Sequence, residues 1–144
     1  MEKEFAPYEL ALKLKVLGFD EPCFGYYVDG ELRGINLGIQ ELGGVEPYYQ
    51  RFGFHTLSNN NIDNQKKIVV TAPTFSQAFR FFRENHNLDS FCRQQTTYGH
   101  SYWKISVLDT KLAVKGYSDF TSTYEEAEIE CLKKLIEIIE EKQK

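Results

Sequence analysis

The sequence predicts an α+β fold: a mostly antiparallel sheet, in two hairpins or meanders, packed against about three helices. Three observations carry this. Apolar residues recur at helical spacing near both ends of the chain. β-Branched and aromatic runs are bounded by Asp- and Gly-containing turns. Two threonines, each followed three residues later by Gln or Glu, stand where helices should open. A chain of 144 residues suits a single domain, 1–144. It can bury roughly two-thirds of its unfolded surface, so folding requires neither disulfide nor metal.

In order along the chain, Pro7 takes a first helical position, and Leu10, Leu14 and Leu17 form a stripe that Leu12 and Val16 widen. Gly18 suits the left-handed cap and Phe19 the apolar contact after it. Residues 23–28 read as a strand, Asp29-Gly30 as a two-residue turn and residues 31–35 as the returning strand. Residues 38–64 carry Gly43-Gly44, Pro47, Gly53 and a Ser-Asn tract, and are expected to form an ordered, loop-rich elaboration. Within it, Tyr48, Tyr49, Phe52 and Phe54 cluster beside Arg51 and His55.

Residues 66–70 form a β-branched strand. Thr74 with Gln77 predicts a capping box, and Phe75, Ala78, Phe79 and Phe82 the buried stripe of a second helix that fades at residues 85–87. Residues 91–97 and 102–108, joined at Gly99-His100, and residues 111–117 predict a three-strand meander. Thr123 with Glu126 opens a last helix whose face is Ala127, Cys131, Leu135 and Ile138, widened by Leu132, Ile136 and Ile139. That width suggests a homodimer contact.

The net charge is −4, yet residues 64–104 hold six cations (Lys66, Lys67, Arg80, Arg83, Arg93, Lys104) against Glu84 and Asp89. An isoelectric point of about 5.4 argues against a large phosphate footprint, so long nucleic acid is disfavoured. A +4 segment rich in Tyr and Phe suits one small anion better. Arg guanidinium groups clamp phosphate and aromatic rings stack bases.

The three cysteines are far apart and form no CxxC pair, which fits reduced thiols in a cytoplasm. No apolar run suggests a signal peptide or membrane span. No HxH, HExxH or other ligand spacing implies a metal, and no cofactor motif occurs. His55, His86 and His100 lie in separate segments, and no nucleophile sits in a recognisable setting.

Residues 8–15 (YELALKLK), 17–27 (LGFDEPCFGYY), 72–84 (APTFSQAFRFFRE), 124–128 (YEEAE) and 131–137 (CLKKLIE) resemble a group of small uncharacterised proteins of phages and prophages of Bacteroidota. The resemblance covers both ends and the middle, carries no activity to transfer, and leaves residues 36–64 as an elaboration of this chain. Small acidic phage proteins of this kind are often counter-defence factors, and one class sequesters nucleotide messengers of bacterial immunity. The context therefore implies a non-catalytic binding protein in the bacterial cytoplasm. Arg80, Arg83, Arg93 and Lys104 would meet phosphate, Tyr98, Tyr102 or Trp103 would stack, and Tyr48, Tyr49 and Arg51 would close the site. The alternatives are an inhibitor that binds a host protein through a Tyr-rich surface, and a small hydrolase or nuclease. The last requires histidines and carboxylates to converge in one cleft.

Overall fold

Leu10, Ala11 and Leu14 recur at three- and four-residue spacing and are buried on one side of the first helix, α1 (Tyr8–Val16). This is a computed structural model, and it describes residues 2–34, 59, 69–109 and 114–144. The elaboration expected at 38–64 lies outside these residues apart from Asn59, as do Lys66 and Lys67. The chain divides into two compact units, residues 1–74 and 75–144.

In the first unit, α1 ends as expected. Gly18 adopts φ 94°, its N–H donates to Lys15 O at 3.1 Å, and Phe19 N–H donates to Leu14 O at 2.9 Å. That pair of bonds satisfies two terminal carbonyls, and Phe19 is buried beyond the turn. Val16 departs from expectation: it is 85% exposed, because it lies two residues from Leu14 and so on the far side of the helix.

Asp29 and Gly30, at φ 50° and 87°, form the tight turn between β1 (Gly25–Val28) and β2 (Glu31–Gly34). The third strand, β3 (Val69–Ala72), pairs antiparallel with β1, giving the order β2-β1-β3. Ala11 of α1 packs with Tyr27, Val70 and Ala72, flanked by Phe5, Tyr8, Leu12 and Leu32. Tyr27 is held there by its hydroxyl, which donates to Ala6 O at 2.7 Å. The outer edge of β3 is satisfied by side chains. Thr71 N–H donates to Asn59 Oδ1 at 3.0 Å, and Lys15 Nζ donates to Val69 O at 3.3 Å. Asn59 Nδ2 donates in turn to Phe19 O at 2.8 Å.

The second unit opens with α2 (Phe75–His86), starting directly after Thr74. Its buried stripe is Phe75, Ala78, Phe81 and Phe82; Phe81 takes the place expected of Phe79, which is only partly buried. The meander is β4 (Leu88–Thr97), β5 (His100–Asp109) and β6 (Val114–Thr121). The first two strands are longer than expected, turning at Tyr98-Gly99 with φ 51° and 78°. The third runs three to four residues later than expected, because Asp109 pairs with Val114 and Trp103 with Thr121. The register shifts between Val107 and Leu108, leaving Gly116 as the extra residue.

Thr123 Oγ1 accepts from Glu126 N–H at 3.2 Å and starts α3 (Tyr124–Lys142). Ala127, Cys131, Leu132, Leu135, Ile136 and Ile139 form its buried face; Ile138 is only partly covered, and Ile139 fills the position expected of it. The described residues thus form an α+β fold of three helices and two antiparallel three-stranded sheets.

Candidate functional site on the open sheet face

Strand alternation sorts the second sheet into two faces. Leu88, Ser90 and Cys92 of β4 share one face with Trp103, Ile105 and Val107 of β5. This is the face α3 covers: Ile105 and Val107 are fully buried, and Trp103 meets Tyr124 of α3 edge-on with centroids 4.9 Å apart. The other face carries Phe91, Arg93 and Gln95 of β4, Tyr102, Lys104 and Ser106 of β5, and Phe120 of β6. Phe91 and Phe120 are 50% and 53% exposed there.

At the middle of this face Arg93 and Lys104 are direct cross-strand partners. Their side chains leave the sheet on the same side, at Cβ separations of about 4.5–5.5 Å. Two like charges placed directly opposite each other repel. Part of this repulsion is offset where Lys104 Nζ lies 5.8 Å above the Phe120 ring centroid. Arg93 is exposed and pairs with no carboxylate among the described residues.

Aromatic groups flank the cations on both sides. Phe91 is one row along β4, and Tyr102 and Phe120 stand edge-on to each other at 5.0 Å and 89°. The Tyr102 hydroxyl is fixed by a 2.8 Å hydrogen bond with Thr97 Oγ1. Gln95, opposite Tyr102, keeps a buried Oε1 with no partner among the described residues. Phe91, Arg93, Lys104, Ser106, Val107 and Leu108 line a cavity of about 190 Å³. That is below the ~300–1,000 Å³ of pockets that enclose a whole small-molecule ligand.

The structure therefore unites three of the expected residues, Arg93, Lys104 and Tyr102. Trp103 belongs to the opposite, helix-covered face. Tyr98 is at the hairpin tip and 97% exposed. Arg80 and Arg83 project from the exposed side of α2, a helix packed on β4 and α3, with Arg83 3.8 Å from Asp89. Tyr48, Tyr49 and Arg51 lie outside the described residues. Phe91, Phe120 and Gln95 were missed by sequence reasoning. Their alternation with Arg93 along the strands was a usable signal for Phe91 and Gln95, whereas Phe120 depended on a register that the bulge sets.

No group of His, Cys, Asp and Glu suited to a metal occurs among the described residues. His86 packs on Phe81 and Phe82 within the field of Lys142, which bonds Asp109 at the last position of β5. His100 begins that ten-residue strand, so the two histidines stand on the order of 30 Å apart. No described helix is long and apolar enough to cross a membrane. No family model, curated protein or solved structure matches the chain.

Proposed function

We propose that the open face of the β4-β5-β6 sheet binds a small anionic, nucleotide-like ligand without transforming it. The observation that carries this reading is the Arg93–Lys104 pair, two cations facing each other on the side of the sheet away from α3, with Arg93 exposed. An anion between them would turn their repulsion into two charge-assisted contacts. The Phe91 ring on one side, or the Phe120–Tyr102 pair on the other, offers an apolar surface on which a base can stack. In the phage setting that the resemblance implies, such a protein acts by sequestration, and long nucleic acid is disfavoured by the acidity of the chain.

A thermal-shift panel of mononucleotides and cyclic mono- and dinucleotides tests the reading. At least one should raise the unfolding midpoint in proportion to the logarithm of its concentration. A flat response across the panel, with no ligand copurifying, rejects it.

The exposed rings favour a second reading. Phe91, Tyr98 and Phe120, at 50%, 97% and 53% exposure, are of the type that anchors protein partners. A stoichiometric partner recovered from host lysate by the wild type and lost with Phe91→Ala or Phe120→Ala would favour an inhibitor of a host protein.

A further inference from the structure

On the covered face of the second sheet, two thiols approach each other from different elements. Cys92 lies on β4 opposite the fully buried Ile105, and Cys131 lies on the buried face of α3 between Ala127 and Leu135. Ser90, two residues before Cys92, shares its face of the strand. Across this strand–helix interface the Cys92 and Cys131 side chains lie close enough to influence each other, with Ser90 beside them, and all three cysteines of the chain are free thiols. We propose that Cys92 and Cys131 form a peroxide-sensitive dithiol that closes to a disulfide, fastening β4 to α3.

Three features support this. The two thiols face each other across one packed strand–helix interface, the arrangement from which a ~2.05 Å disulfide can close. The two sulfurs are not equivalent: the neighbouring Cys92 and Ser90 hold the Cys131 thiol below the usual range, whereas Cys131 and burial push Cys92 up. Cys131 is therefore the readier thiolate and Cys92 keeps its proton for the second step. Cys92 is only partly buried, which leaves a small oxidant a way in. Glu128 opposes thiolate formation at both sulfurs and slows the reaction without preventing it.

The chemistry balances with one hydrogen peroxide. The Cys131 thiolate attacks a peroxide oxygen, the O–O bond breaks, and the leaving hydroxide takes up a proton as water. The Cys92 sulfur then attacks the Cys131 sulfenic sulfur, and its proton leaves with the hydroxyl as a second water. Two thiols are oxidised and one peroxide is reduced. Arg93 follows Cys92 directly, so the closed bond fixes the strand that carries half of the cation pair.

Cys23 is the internal control. It is fully buried in the first unit, its thiol donates to Glu21 O at 3.3 Å, and burial pushes it up to about 12 against an opposing Thr71 contact. Full-length protein treated with hydrogen peroxide should lose two of its three thiols and about 2 Da of mass. A non-reducing peptide map should link residue 92 to residue 131, and the unfolding midpoint should rise by several degrees and return with dithiothreitol. Cys23→Ser should behave as wild type, and Cys92→Ser should block the link. Retention of all three thiols overturns the proposal, as does oxidation of one sulfur to sulfinic acid, or a bond to Cys23 or between two molecules. The map on wild-type protein decides the matter even if the Cys92 variant folds poorly.

Discussion

Arg93 on β4 and Lys104 on β5 are direct partners across an antiparallel ladder, both directed to the face that α3 does not cover. Because neither side chain supports the core, Arg93→Ala should leave stability within about 0.5 kcal/mol of wild type. The same change should weaken binding of a nucleotide ligand about tenfold or more, since a charge-assisted hydrogen bond contributes roughly 1.5–3 kcal/mol. Titration calorimetry beside thermal melts separates the two effects. Binding should also weaken with added salt, as expected of partly exposed charges.

Asn59 should matter more than its solitary position suggests. It satisfies Thr71 N–H at the edge of fully buried β3 and ties it to Phe19 O after α1. Asn59→Ala leaves a buried N–H unpaired and should cost about 1–3 kcal/mol, measured by urea unfolding. Asn59→Asp should recover part of the loss, because it keeps the acceptor for Thr71 and removes only the donor.

Gly25 faces a ring rather than open space. A Cβ there would stand 2.9 Å from Phe5 Cε1 and 3.3 Å from Ala72 Cβ. Gly25→Ala should destabilise by about 1–3 kcal/mol through overpacking, and Phe5→Leu in the same chain should relieve part of that cost. Chemical denaturation of both single variants and the double variant reads the coupling.

His86 sets a pH dependence. Burial first, and Lys142 second, hold its pKa below the ordinary histidine value; Lys142 is itself bonded to Asp109. The unfolded chain therefore takes up this proton more readily than the folded one. Stability from His86 is fully present above about pH 6.5 and declines as the pH falls below that value. Partial exposure keeps the slope to a fraction of the ~1.4 kcal/mol per pH unit that one whole proton would give. Melts between pH 7.5 and 5.5 should show a shallower decline for His86→Gln than for wild type.

Local chemistry was the legible part of this fold. The Gly18 cap, the Asp29-Gly30 turn and the Thr123 cap are each set by a few adjacent residues, and each formed as expected. What failed was phase. Phe79 and Phe81 are chemically identical, and only the angle at which α2 meets its neighbours decides that Phe81 is buried. The third strand slid for a related reason, since its register is fixed by partners on β5 and by a bulge. The candidate site was legible only as a basic, aromatic segment. Arg80, Arg83 and Arg93 are close in sequence, yet only Arg93 lies on the sheet, and its partner Lys104 becomes a neighbour through the hairpin. Phe120 joins them from a strand whose position sequence spacing does not determine.

The central claim is that these facing cations hold an anion, and charge reversal tests it most directly. Lys104→Glu replaces the pair of facing cations by an Arg93–Glu ion pair and so removes the anion site. Calorimetric titration with the nucleotide that gives the largest thermal shift on wild type should show binding lost in this variant, while a cooperative thermal melt shows that it is folded. Unchanged affinity in a folded Lys104→Glu protein would contradict the account.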